Sequence, residues 1–151
     1  MKIKEMEKKM KETYYLNKET LPKIPAPHDC VIKRISVKDR CIVFEFEDDI
    51  SYHDSIQYLK PEAKSLIVTY HLAYDADDYA IFKERSRGLF RKRVYYQQLD
   101  NSAITGLTGG KFKLTYLYHN VDYCSIITKL FSGGHIILDA DVDYVEYEWI
   151  C

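Results

Sequence analysis

The chain has no apolar run approaching the roughly 20 residues that a membrane-crossing helix needs, so no spanning segment is expected. Met1 to Met10 is lysine-rich and lacks the apolar stretch of an export signal. A cytoplasmic location with no membrane partner is the resulting expectation. A dominant charge is also missing, because 22 Lys and Arg against 23 Asp and Glu leave a net charge of -1. No global field then draws the protein to DNA or an anionic bilayer, and nucleic acid is not an expected partner. Cys30, Cys41, Cys124 and Cys151 form no C-x-x-C pair and have no zinc-ligand spacing. Without an export signal, reduced thiols are a better expectation than a disulfide framework.

Catalytic motifs are missing as well. There is no G-x-S-x-G turn, and no cysteine stands beside a candidate base in the sequence. Gly106, Gly109, Gly110 and Lys111 fail the phosphate-loop pattern, since Thr105 stands where a glycine is required and Phe112 where a Ser or Thr is. Asp139, Asp141 and Asp143 open like a calcium loop, but Tyr144 and Ile150 hold the positions of its glycine and glutamate. At strand spacing the three carboxylates read as one solvated face. In His28-Asp29 and His53-Asp54 the adjacent side chains point opposite ways on a strand, so neither pair is a dyad. A metal centre or hydrolase would need His28, His53 and His71 to converge from separate segments. No cofactor, metal ligand or catalytic residue is assigned.

What the chain does have is a tyrosine-rich rhythm of period two. Leu66, Val68, Tyr70 and Leu72 alternate, as do Phe112, Leu114, Tyr116 and Tyr118, and later Val145, Tyr147 and Trp149. Such spacing places every second side chain on one face of a strand. Strands are expected over 29–37, 40–47, 64–74, 79–83, 91–97, 111–119, 123–131, 134–139 and 142–150. Ser132-Gly133-Gly134 is the clearest hairpin turn. Residues 50–63 read as a short helix or irregular segment, and 100–107 as a helical turn capped by Asp100 or Ser102. At 46% hydrophobic the chain can fill a core. The expected fold is mainly β (α+β at most): a single domain, 1–151, holding an antiparallel sandwich or open barrel of about eight strands. Ile3, Met6, Met10 and Tyr14 recur at helical spacing and predict a helix over 2–15. A proline-containing connector over 16–27 leads into the β-rich core, 28–151.

The strongest local signal is basic. Lys83, Arg85, Arg87, Arg91, Lys92 and Arg93 are offset in their stretch only by Glu84. Grouped near Phe90, Tyr95 and Tyr96, they suit an acidic protein surface or a phosphate backbone. The opposing reading is that they pair within the chain with acidic strands such as Glu45 to Asp49 or Asp139 to Glu148. Residues Arg85, Arg87, Arg91, Lys92, Arg93, Tyr95 and Tyr96 are therefore the candidate partner-binding set.

The run His28-Asp29-Cys30-Val31-Ile32-Lys33-Arg34-Ile35, followed by Ile42-Val43-Phe44-Glu45-Phe46, resembles the opening of small bacterial β-proteins of the toxin-immunity type. In them an HD-x-x-I-x-x-I strand precedes an alternating apolar one. The closing Asp141 to Trp149 is similar to their acidic final strand. The likeness covers about a quarter of the chain and transfers no functional residue. It implies an inhibitor that neutralises another protein. The expected function is thus a non-enzymatic cytoplasmic protein-binding module, of immunity type by resemblance. The alternatives are a small-ligand-binding β-barrel and a metal-dependent or hydrolytic enzyme.

Overall fold

The computed structural model describes residues 8–151. Nine strands are seen among them: β1 Lys9–Tyr15, β2 Val31–Lys38, β3 Cys41–Phe46, β4 Ser65–Leu72, β5 Tyr79–Arg87, β6 Arg93–Leu99, β7 Leu114–Asp122, β8 Ser125–Phe131 and β9 His135–Ile150. One short helix, α1 Asp54–Leu59, and a 3-10 helix, Asn101–Thr108, complete the elements. Asp100 caps the latter by accepting from the Ser102 amide at 2.9 Å. All strands belong to one antiparallel sheet. β4, β3, β2, β7, β8 and β9 bond in that order, and β9 bonds back to β4, so the ring closes into a six-stranded barrel. Closure removes the free edges that a sandwich or open barrel would leave there.

β9 makes the closure possible. Its first half, Ile136 to Asp141, lies between β8 and β5, and its second half lies between β4 and β1. The sequence suggests two strands here, 134–139 and 142–150, and they are one. Leu72 pairs with Val142 and His71 with Tyr144, which leaves Asp143 as an extra residue in a bulge. The bulge shifts the inward face from Ile136, Leu138, Ala140 and Val142 to Val145, Tyr147 and Trp149, all buried. Asp139 and Asp141 are exposed, and Asp143, at the bulge, is half-buried.

Period two survives elsewhere until another bulge interrupts it. Leu66, Val68, Tyr70 and Leu72 are all buried. On β7 only Leu114 and Tyr116 are, because the pairing with β8 skips Leu117 and turns Tyr118 outward, while Phe112 lies before the strand and is exposed. The barrel interior is filled by side chains, with Phe44 tilted on Tyr70 at 4.8 Å and Tyr147 edge-on to Trp149 at 5.7 Å between ring centres. Tyr70 Oη lies 3.1 Å from Tyr116 Oη, which bonds His119 Nδ1, and His119 Nε2 donates to the Ile24 carbonyl at 2.8 Å.

The helix expected over 2–15 is corrected in part. Residues 1–7 lie outside the described residues, and Lys9–Tyr15 is a strand paired along β9. Its exposure alternates, with Met10, Glu12 and Tyr14 turned inward. The narrow apolar stripe offers a helix little to bury, whereas pairing with β9 satisfies the backbone groups on one side of the strand and seats Tyr14 on Tyr147. The connector 16–27 is without regular structure, and Leu16 and Ile24 in it plug the core.

Candidate protein-binding arm

Strand β5 leaves the barrel wall. Tyr79 to Lys83 pairs with β9 on one side, and the whole strand pairs with β6 on the other. Beyond Lys83 only β6 accompanies it, so residues 84 to 96 form a two-stranded ribbon that projects past the sheet. At its base Ile81 is buried, and Glu84 Oε2 accepts from the backbone N and the Nδ1 of His135 at 2.9 and 2.7 Å. Those bonds hold the Glu84 carboxyl below its usual range. The one acid of the basic stretch is therefore consumed in fixing the ribbon to the barrel. At the tip, Gly88 has φ 114°, and Leu89 and Phe90 are 94% and 99% exposed.

The register sorts the candidate residues by face. Lys83 stands opposite Gln97, Arg85 opposite Tyr95, and Arg87 opposite Arg93. Residues opposite each other or two apart share a face. Lys83, Arg85, Arg87, Arg93, Tyr95 and Gln97 thus line one side of the ribbon. Tyr96 and Val94 lie on the other side, and Arg91 and Lys92 lie in the tip. Arg85 Nε donates to Gln97 Oε1 at 3.1 Å, and the Arg87 guanidinium sits 5.6 Å from the Tyr95 ring centre. Arg87, Arg93, Val94 and Tyr95 line a hollow there.

Like charges directly opposite destabilise a sheet, so stability does not account for the Arg87–Arg93 pair. The intramolecular pairs of the opposing reading are not seen. Among the described residues Asp48, Glu45, Glu47 and Glu146 pair with Lys33, Arg34, Lys113 and Lys11, and none of the arm's Arg or Lys residues forms an ion pair. Residue spacing reveals the basic cluster, whereas its collection on one face depends on the register with β6.

Another constellation escapes the sequence. Cys41 on β3 faces His71 on β4, with Sγ 3.3 Å from Nδ1, so a cysteine does stand beside a base. His71 Nε2 lies 3.2 Å from Glu146 Oε1. The His71 ring stacks on Tyr144 at 3.9 Å. The order is that of nucleophile, base and carboxylate. Burial, with the charges of Glu146 and Asp39, nevertheless pushes the Cys41 thiol up, so it stays protonated at neutral pH.

The histidines do not gather. His28 Nδ1 donates to the Leu117 carbonyl at 2.6 Å, His71 serves Cys41, and His53 Nε2 is buried without a partner. Among the described residues no group of three or more His, Cys, Asp or Glu is placed to hold a metal. Asp77, Asp78, Asp139 and Asp141 line a hollow, but Asp78 Oδ2 is occupied by the Tyr74 and Asp75 amides. Gly106 lies in the 3-10 helix, and Gly109 closes it.

Comparison of the chain with protein-family models, curated proteins and solved structures finds no match. No helix among the described residues is long and apolar enough to cross a membrane.

Proposed function

We propose that this chain is a non-enzymatic module that binds another protein by presenting the basic face of its arm to an acidic surface. The observation that carries the reading is the unpaired row Lys83, Arg85, Arg87 and Arg93 beside Tyr95. Exposed arginine and tyrosine are the residue types that dominate binding energy at interfaces. The ribbon adds almost nothing to the core, which suits recognition better than stability. An immunity-type inhibitor acting in the cytoplasm is the most concrete version, supported by the resemblance of the His28 to Phe46 opening and by four free cysteines.

The test reverses charge at Arg87, Arg91 and Arg93. Immobilised wild-type chain should retain an acidic protein from its own cell extract in a salt-sensitive way, and the triple variant should lose it. The thermal midpoint should barely move, because these side chains are exposed. A large loss of stability with retained capture would show the arginines to be structural.

A further inference from the structure

We infer that the outer edge of β6 takes an extended acidic segment of the partner as an added strand, with alternate carboxylates on the arm's basic face. This rests on the protein-binding reading and specifies how that binding occurs.

The first support is the edge itself. β5 is bonded on both sides, whereas β6 closes the order of strands and has no neighbour beyond it among the described residues. Every second amide and carbonyl of Arg93–Leu99 therefore points outward. A strand carrying Val94, Tyr95 and Tyr96 with an open edge is a template for another strand. Its sequence, Arg93-Val94-Tyr95-Tyr96-Gln97-Gln98-Leu99, has no proline, no inward charge and no bulge against β5 to block addition.

Charge complementarity selects the occupant. An added strand continues the alternation of the ribbon, so its odd side chains fall beside Arg93 and Tyr95 and its even ones beside Val94 and Tyr96. Arg93 then neighbours a row of Asp or Glu directly. Arg85 and Arg87 stand one strand further in, about 10 Å from it and within reach of long side chains, and residues between the acids lie on the less polar side. Arg87 and Arg93 stand opposite each other, and a partner carboxylate beside Arg93 offsets their shared positive charge. The recognised pattern is acidic at every second position over about six residues, a typical strand length.

The experiment uses the full chain and fluorescein-labelled peptides read by anisotropy. One peptide alternates Glu and Val. A second has the same composition with the glutamates grouped together. A third is the alternating peptide methylated on its backbone nitrogens, so that it keeps its charge and cannot pair. The alternating peptide should bind roughly tenfold more tightly than either other peptide. Saturation should slow amide exchange along β6, and R87E/R93E should abolish binding at an unchanged thermal midpoint.

Equal binding of all three peptides overturns strand addition while leaving a charge-based grip intact. Failure of every acidic peptide, together with capture of a cellular partner that ignores R87E/R93E, overturns the function reading as well. Binding to phosphatidylserine vesicles with no peptide binding would make the Leu89–Phe90 tip a lipid contact and refute the inference. Protection of β6 amides in the peptide-free chain, lost on dilution, would make a second copy the occupant and refute it equally.

Discussion

Tyr70 Oη and Thr128 Oγ1 meet 2.7 Å apart inside the barrel, although β4 and β8 share no backbone pairing. The bond runs across the interior side of β9 and joins the two strands that flank it in the barrel. Both residues are fully buried, so neither hydroxyl has water as a substitute. Tyr70→Phe should cost about 1–3 kcal/mol in urea unfolding, because the hydroxyls of Thr128 and Tyr116 lose a partner each. Thr128→Val added to Tyr70→Phe should cost less than the sum of the single changes. Strict additivity in that cycle would show that the hydroxyls act independently.

His119 ties this interior network to the connector and makes stability depend on pH. Its Nε2 donates to the Ile24 carbonyl, so Nδ1 is the acceptor for Tyr116 and the ring is neutral. Burial lowers its pKa from the ordinary 6.5, against the opposing pull of the Ile24 bond. The unfolded chain then binds a proton that the folded chain refuses. The stabilising contribution is complete above 6.5 and shrinks as pH falls below it, by up to about 1.4 kcal/mol per pH unit. His71 is shifted the same way by burial. The loss of urea midpoint between about pH 7.5 and pH 5.5 should therefore be smaller in His119→Gln than in wild type, with the His71 share remaining.

The β2–β3 turn should be improvable. Lys38 pairs with Cys41, and the two residues between them, Asp39 and Arg40, have φ of 50° and 61°. A two-residue turn of this hand favours glycine at its second position. Arg40→Gly should gain about 0.5–1 kcal/mol, a rise in thermal midpoint of about 2–4 °C for a chain of this size. A fall in midpoint would mean that the Arg40 side chain, whose Nη1 lies 3.4 Å from the Tyr74 carbonyl, matters more than the backbone.

Gly88 offers a way to disable the arm alone. Its φ is 114°, and a Cβ there would stand 2.3 Å from the Arg91 carbonyl oxygen. Gly88→Ala should therefore break the ribbon's tip and speed amide exchange in β6. The barrel lies outside the change, so the thermal midpoint should move by less than about 2 °C. Acidic-peptide binding should fall together with β6 order.

Strands on which the inward side chains keep step with their spacing were legible in the amino-acid order. Ile42, Phe44 and Phe46 face the core as their alternation implies, and Ser132-Gly133-Gly134 turns with Gly133 at φ 67°. The 3-10 turn and its Asp100 cap were legible for the same local reason, since a side chain reaching its own backbone needs no distant partner. Legibility failed where distant chain intervened. Met10 and Tyr14 fit a helix by spacing and a strand by fact, because β9 supplies their pairing. The basic cluster was visible at Lys83 to Arg93, but its one-sidedness was not.

Composition and alternation by themselves determined a mainly β protein with a core of aliphatic and tyrosine side chains, because burial of every second residue is a local, repeating demand. Only the tertiary structure decided that the sheet closes, that Asp143 and Leu117 reset which face looks inward, and that Cys41 meets His71. Each of these depends on register between segments far apart in the chain, and shifting a register by one residue exchanges the two faces at no change in sequence.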